Sequence, residues 1–200
     1  MKVIGITGGT GTGKTTALRA IHDLGGLILD CDEIYHNLTI GSDAMKAELD
    51  ARFPGVIANG TLDRKALGRI VFADENALAD LNAITHRYVK EEVEWLLAQH
   101  KASGGSLAAI DAISLFESGL DKLCDFTVAI NAPTEARARR IMARENIDYD
   151  YAMLRINAQH DNAYFSEKCT YTLTNDFETK EEFDKLCREF FTRKAGKYNE

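Results

Sequence analysis

The apolar positions of this chain fall into short runs, and longer stretches with helical periodicity separate these runs. The four clearest runs are residues 3–7, 27–29, 107–110 and 126–130, and a weaker fifth run covers residues 171–174. Because the runs do not alternate strictly between apolar and polar residues, they predict strands that are buried on both faces of a parallel sheet. Their separation by helical stretches predicts an α/β fold with a central parallel sheet of five strands.

The segment between the second and third runs, residues 33–106, is helical in pattern and much longer than a crossover between parallel strands requires. The apolar positions that repeat there at helical spacing are Leu67, Ile70, Val71, Leu78, Leu81, Ile84, Tyr88 and Trp95. We expect a helical insert in the sheet connections, with turns at residues 53–55 and 102–105.

The chain therefore divides into a core, an insert and a second helical excursion. The core comprises residues 1–32, 107–133 and 169–200, the insert comprises residues 33–106, and the excursion comprises residues 134–168. We expect the last seven residues, 194–200, to form a frayed tail.

Composition narrows the class of protein. The 200 residues, of which 45% are hydrophobic, are enough for one domain with a sizeable core, and the net charge of -7 argues against a general nucleic-acid binder. The four cysteines are far apart, which argues against a zinc site or a disulfide framework and favours the cytoplasm. We expect no membrane partner, because no apolar stretch approaches the ~18 residues of a membrane span. The oligomeric state stays open between a monomer and a weak homo-oligomer.

A phosphate-binding motif follows the first apolar run. Residues 8–15 read Gly-Gly-Thr-Gly-Thr-Gly-Lys-Thr, which satisfies G-x-x-x-x-G-K-[ST] between a predicted strand and a predicted helix. The motif predicts an ATP site, with Lys14 on the terminal phosphates and the Thr15 hydroxyl on Mg²⁺. The nucleotide-binding residues predicted here are Gly9, Thr10, Gly11, Thr12, Gly13, Lys14, Thr15 and Thr16. A dinucleotide-binding loop is rejected because the G-x-G-x-x-G spacing does not occur.

Two carboxylates, Asp30 and Asp32, follow the second apolar run. At the end of a strand in an open α/β sheet, such residues lie where ligands bind. We interpret Asp32 as the base that accepts the proton of an acceptor hydroxyl, and Asp30 as a support for the metal through water. The alternative is that one of the two only caps the helix that begins near Glu33.

Arginines cluster in the excursion at residues 134–168. Arg137, Arg140 and Arg144 share one predicted helix face, with Arg139 beside it. Guanidinium groups match phosphate oxygens and stay charged, so this face suits a lid over a transferring phosphoryl group. The alternative is a solvated charged face. Further along the chain, Arg155 and Gln159, spaced i and i+4, are candidates for the same cleft.

Five segments in order resemble the dephospho-CoA kinase family. They are residues 5–16 together with 27–34, residues 60–67 (similar to G-x-L-D-R-x-x-L), residues 110–117 ending in Leu-Phe-Glu, residues 140–144 and residues 155–159. The chain differs from the family at Cys31, where alanine is usual, at Ile113-Ser114, where Pro-Leu is typical, and at Arg87, where proline is usual. These differences leave open how residues 113–114 form the wall of the acceptor pocket.

The resemblance implies a P-loop kinase fold with a lid, and transfer of a phosphoryl group from ATP to the 3′-hydroxyl of dephospho-CoA, the last step of coenzyme A biosynthesis. It implies catalytic roles for Lys14, Asp32, Arg140 and Arg144. It assigns no lid pattern to Arg137 or Arg139, for which a solvated helix face stays the expectation. The acceptor-binding residues implied are Asp30, Asp32, Arg64, Phe116 and Glu117, and the metal residues are Thr15 and Asp30. Asn175 is a candidate neighbour of adenine or a turn-forming residue. The alternatives are a kinase of a nucleoside monophosphate or small metabolite, and a non-catalytic nucleotide-binding switch.

Overall fold

A computed structural model describes residues 1–196 of the chain. These residues form two compact units: the first contains residues 1–29 and 100–196, and the second contains Asp30–Gln99. The described strands are β1 (Lys2–Thr7), β2 (Leu27–Asp30), β3 (Ile57–Ala58), β4 (Thr61–Leu62), β5 (Leu107–Asp111), β6 (Phe126–Asn131) and β7 (Tyr171–Thr174). The described helices are α1 (Lys14–Asp23), α2 (Cys31–Gly41), α3 (Asp43–Arg52), α4 (Arg64–Val71), α5 (Glu75–Ala102), α6 (Thr134–Glu145), α7 (Tyr149–Asn157), α8 (Asn162–Lys168) and α9 (Lys180–Ala195).

The main sheet is a central parallel sheet of five strands in the order β2-β5-β1-β6-β7. Each of the five apolar runs forms one of these strands, so the predicted fold class is confirmed. Strand β1 lies at the centre, where Ile4 pairs in register with Ala109 of β5 and with Phe126 of β6. Ile4 and Ile6 are completely buried. The loop that follows β1 therefore leaves the sheet from its middle.

The second unit contains helices and one short hairpin. Its core includes Met45, Leu49 and Phe53 of the α3 segment together with Leu67 and Val71 of α4. The antiparallel hairpin β3–β4 was not predicted from the hydrophobic pattern. Its turn residues, Asn59 and Gly60, have φ values of 52° and 75°, which suit a tight hairpin turn. A pair of two-residue strands is too short to show the alternation that identifies strands in a sequence.

Two of the apolar positions at helical spacing do not lie in the core: Trp95 of α5 is 56% exposed, and Ile70 of α4 is 38% exposed. The buried stripe of α5 instead runs through Val89, Val93 and Leu97. Because consecutive helical residues are rotated by about 100°, Trp95 lies about 200° from Val93 and points away from the core.

The predicted frayed tail is also wrong in its first residues. Lys194 and Ala195 complete α9, and the Lys194 ammonium donates a hydrogen bond of 2.8 Å to the Tyr171 hydroxyl. The rest of that tail, residues 197–200, lies outside the described residues. Of the helices between residues 1 and 196, none has the length and apolar character of a transmembrane span.

Candidate active site

The phosphate loop connects β1 to the N-terminus of α1. Gly13 caps α1 with a φ of 105°, a backbone conformation that residues with a side chain rarely adopt. The first turn of α1, which the structure describes in full, contains no acidic residue. The backbone N–H groups at the start of a helix and the positive end of the helix dipole therefore favour an anion here.

Side chains of the loop bond to its own backbone. The Lys14 ammonium donates to the Gly8 carbonyl at 3.0 Å, and the Thr12 hydroxyl donates to the Gly9 carbonyl at 2.9 Å. Thr15 is exposed, whereas Thr16 is buried. Lys14 is therefore held in the loop by a neutral carbonyl, a partner that a phosphate oxygen can replace.

Arg140 of α6 lies against this loop. Its guanidinium donates to the carbonyls of Gly11 (3.3 Å) and Thr12 (3.4 Å), and to the Asn175 side-chain oxygen (3.1 Å). The buried Asn175 amide in turn donates to the Thr12 carbonyl at 2.9 Å. Burial, with a smaller contribution from the charge of Arg139, lowers the pKa of Arg140 from its usual value. Arg140 and Asn175 together hold the second half of the loop.

For Arg137, the expectation of a solvated helix face is wrong. Arg137 is only 3% exposed, and its Nε atom donates to the Thr10 carbonyl at 2.9 Å. Residues 137, 140 and 144 share the helix face that meets the loop, because they are spaced i, i+3 and i+7. Arg139 lies off this face and is exposed.

The remaining candidates in residues 134–168 make different contacts. Arg144 is exposed, donates to the Thr10 hydroxyl at 3.4 Å and also pairs with Glu145 at 2.7 Å. Arg155 pairs with the same Glu145, and no hydrogen bond described in residues 1–196 links it to the loop. Gln159, its companion in the sequence, reaches the loop because its side-chain oxygen accepts from the Thr10 N–H at 2.8 Å.

A cavity of about 350 Å³ lies beside the start of α1. The residues that line it on the loop side include Gly13, Thr16, Arg140 and Asn175, and Phe177 contributes an aromatic ring. It therefore combines an apolar surface with polar groups, as is typical of small-molecule sites.

The predicted acceptor residues Phe116 and Glu117 follow β5. The Glu117 carboxylate accepts a hydrogen bond from the Tyr164 hydroxyl of α8 and lies 3.5 Å from the His160 ring. The Lys168 ammonium lies 5.4 Å from the Phe116 ring centroid. These contacts join the segment after β5 to α8, and no motif in the sequence identified Tyr164 or His160.

In the second unit, the structure assigns different positions to the two carboxylates of the acidic pair. The Asp30 carboxylate caps α2, because its Oδ1 atom accepts from the N–H groups of Asp32 (2.9 Å) and Glu33 (3.1 Å). Asp32 lies in the first turn of α2 with its side chain exposed. Within the described residues, no hydrogen bond involves its carboxylate. The cap predicted as an alternative for the pair is therefore Asp30.

Arg64 also belongs to the second unit. Its guanidinium lies 2.7 Å from the His36 Nδ1 atom and donates to the Thr39 hydroxyl at 3.3 Å. Burial raises the pKa of the neighbouring Tyr35, and the charge of Arg64 opposes this shift. Arg64 is thus held against α2, and His36 is a partner that sequence reasoning missed.

No group of three His, Cys, Asp or Glu side chains in residues 1–196 is arranged as metal ligands. Mg²⁺ does not require such a group, because it usually keeps several waters and binds one or two protein oxygens together with substrate phosphates. The exposed Thr15 hydroxyl is an oxygen of this kind.

Comparisons with known proteins identify the family of this chain and proteins of the same fold. A family model described as dephospho-CoA kinase matches residues 2–181. The dephospho-CoA kinase of Latilactobacillus sakei is 32% identical over 173 residues, which cover 86% of each chain. The solved dephospho-CoA kinase of Campylobacter jejuni superposes with a TM-score of 0.69 at 22% identity and covers 98% of each chain. A shikimate kinase of Bacteroides thetaiotaomicron shares the fold with a TM-score of 0.56 at 15% identity, over 96% of this chain and 97% of its own.

Proposed function

The chain belongs to the dephospho-CoA kinase family, and we propose that it transfers the γ-phosphoryl group of ATP to the 3′-hydroxyl of dephospho-CoA. The family match over residues 2–181 favours this reaction over a kinase of another small metabolite and over a non-catalytic switch. The observation that carries the proposal is the phosphate loop after β1, with Lys14 in it and Arg140 bonded to its carbonyls.

ATP would bind with its phosphates in the loop and its nucleoside in the cavity beside Gly13. The phosphates would face the N-terminus of α1, which has no acidic residue in its first turn. The nucleoside would contact Phe177, since an aromatic ring offers a base a stacking surface. Asn175 would contribute indirectly, because both polar ends of its side chain are already bonded to Thr12 and Arg140.

Mg²⁺ would be held by the Thr15 hydroxyl and by nucleotide phosphates, and it would neutralise charge on the transferring group. Asp30 would support it through water, with the Oδ2 atom that the two capping hydrogen bonds to Oδ1 leave available. The thiols of Cys124, Cys169 and Cys187 suit a reducing compartment, which supports a cytoplasmic location.

On the acceptor side, Asp32 would accept the proton of the 3′-hydroxyl as that oxygen attacks phosphorus. Its exposed carboxylate, with the cap role taken by Asp30, supports this assignment. Arg64, held by His36 and Thr39, would bind a phosphate oxygen of dephospho-CoA. Phe116 and Glu117 would form part of the acceptor site near α8.

Charge and positioning would supply most of the catalysis, because phosphoryl transfer requires little covalent chemistry from the protein. Positive charge would come from Lys14, Arg140 and Arg144. It would stabilise the phosphate oxygens whose negative charge changes during transfer. Lys14 would leave the Gly8 carbonyl for a phosphate oxygen, exchanging a neutral partner for a charged one.

A panel of acceptors with ATP and Mg²⁺ tests the proposal, with ADP and the phosphorylated product both measured. We expect phosphorylation of dephospho-CoA in preference to AMP, shikimate and gluconate. Turnover of one of the small acceptors without any turnover of dephospho-CoA would overturn the proposed reaction. Nucleotide binding without turnover of any acceptor would favour the switch.

A further inference from the structure

Two side chains from the lid segment hold both backbone polar groups of Thr10. Arg137 of α6 donates from Nε to the Thr10 carbonyl at 2.9 Å. Gln159, which follows α7, accepts from the Thr10 N–H at 2.8 Å. The two side chains also meet, since Arg137 Nη2 donates to the Gln159 oxygen at 3.4 Å. Thr10 is thus bracketed by one connected pair, which we call the Arg137–Gln159 clip.

The neighbouring Gly9 has no side chain, and the clip occupies the space that a side chain there would fill. Its backbone φ is not in the left-handed region, and position 9 is a free position of the phosphate-loop motif. A Cβ atom there would lie 2.3 Å from Arg137 Nη2 and 3.1 Å from the Gln159 oxygen. The absence of a side chain at residue 9 is therefore explained by the clip and not by the backbone conformation.

The clip also places a buried positive charge beside the loop. Arg137 is 3% exposed, and no carboxylate in residues 1–196 forms an ion pair with it. Burial alone lowers its pKa from the usual value. Burying a charge without an ionic partner costs free energy. Because Arg137 lies next to the anion site, a bound anion would supply that partner.

We propose that the Arg137–Gln159 clip positions residues Gly9 and Thr10 of the phosphate loop for the terminal phosphates of the nucleotide, with Arg137 supplying charge at that end. This inference rests on the proposed nucleotide site. Gln159 is a positioning residue, because it acts through the loop backbone. Arg137 positions the loop in the same way and adds its charge beside it. Their loss would let the loop shift, and displacements of about 1 Å at a reacting centre cost large factors in rate.

The experiment compares Arg137→Met and Gln159→Leu with the matched control Arg139→Met, whose arginine lies on the same helix but is exposed. Steady-state kinetics with dephospho-CoA give kcat and the two KM values, and calorimetry gives the Kd for Mg²⁺-ATP. For Arg137→Met we expect kcat to fall about tenfold or more and the Kd for ATP to rise severalfold, because charge and backbone position are both lost. The KM for dephospho-CoA should stay within twofold. Gln159→Leu should show the same pattern at smaller amplitude, and Arg139→Met should match the wild type.

A double-mutant cycle tests the role of Gly9. Gly9→Ala should lower kcat because the added methyl displaces the guanidinium. In an Arg137→Ala background the same substitution should have a much smaller effect, since the severe collision with the guanidinium is gone and only the 3.1 Å contact with the Gln159 oxygen is left. Additive effects in this cycle would contradict the clip. Wild-type kcat and ATP affinity in both Arg137→Met and Gln159→Leu would overturn it.

Two further outcomes are distinguishable. If Arg137→Met does not fold, Gln159→Leu and the ATP affinity of Gly9→Ala decide the matter. If the wild type binds ATP but does not phosphorylate dephospho-CoA, the proposed reaction fails. The Kd values for Mg²⁺-ATP then judge the clip alone, and unchanged Kd values in all the variants would refute it.

Discussion

The candidate nucleotide residues and the candidate acceptor residues are held in different ways. In the first unit, Arg137 and Asn175 are buried, and Arg140 donates to four oxygen atoms around the phosphate loop. In the second unit, Asp32 and Arg64 are exposed, and the described hydrogen bonds of Arg64 go to side chains of one neighbouring helix.

This difference indicates a division of labour. Buried hydrogen bonds fix the loop before any ligand binds, so the positive groups need little reorganisation when charge shifts during transfer. Replacing an exposed side chain on the acceptor side should change the stability of the protein little. Such a replacement should mainly remove contacts with the acceptor itself. Substitutions in the two regions should therefore have different signatures.

The largest expected effect is on the nucleotide side. Lys14→Ala should lower turnover by a factor of about 10² or more, because it removes charge from the transferring group. Its melting temperature should stay close to that of the wild type, since the ammonium bonds only to the Gly8 carbonyl among the described residues. ADP formation and thermal melting check both expectations, with the exposed Lys101→Ala as control. Activity near that of the control would show that the loop is not the phosphate site.

On the acceptor side a comparable effect is expected where a side chain acts on the acceptor itself, and Asp32→Asn tests this. If Asp32 is the base, kcat should fall by a factor of about 10² or more with little change in melting temperature. Its partner behaves differently: Asp30→Ala should cost about 1 kcal/mol of stability because it removes the cap of α2, whereas Asp30→Asn should retain that stability. Full kcat in Asp32→Asn at saturating substrates would remove Asp32 from the mechanism and transfer the role to Asp30 or to the substrate.

Arg64→Met should sharpen the contrast through KM. We expect the KM for dephospho-CoA to rise about tenfold, since a hydrogen bond to a charged group contributes roughly 1.5–3 kcal/mol. The KM for ATP should be unchanged, in contrast to the variants of the first unit. Arg69→Met, which removes another exposed arginine of α4, serves as the control. An equal rise in both KM values would contradict the separation of the two regions.

The smallest expected effect concerns the anchoring of α1, the helix that follows the loop. Hydrogen bonds from Arg19 and Arg188 hold the pKa of Asp184 on α9 below its usual range. A lowered folded-state pKa gives stability that is present above the unfolded value, about 3.9, and is lost as the pH falls through the folded-state value. Asp184→Asn should lower the melting temperature by no more than a few degrees at pH 7, because exposed ion pairs contribute little. Thermal melts from pH 7 to pH 2 should show this difference shrinking below about pH 4, and a difference that is constant with pH would contradict the ion-pair origin.

The sequence predicted the main sheet well because its strands are buried on both faces and read as apolar runs. Residues 8–15 predicted a phosphate loop because the motif requires a particular order of neighbouring residues. The hairpin at residues 57–62 was missed because each strand has only two residues. The position of Trp95 was missed because the apolar positions of α5 fit more than one helical stripe.

Within the candidate site, the order of residues along the chain was enough to indicate Lys14, the acidic pair and Arg140. It left open which aspartate caps α2, since both residues lie close in the sequence to the start of that helix. The structure assigned the cap to Asp30 through two backbone hydrogen bonds.

By itself, the sequence determined the α/β class, the phosphate loop and the family, because each is written in local patterns of neighbouring residues. Only the tertiary structure decided that Arg137 is buried on the loop, that Gln159 reaches the Thr10 N–H and that Gly9 leaves room for both. The partners in these contacts are separated by more than a hundred residues. Local patterns report which face of a helix is polar, but the packing of distant elements decides what that face meets.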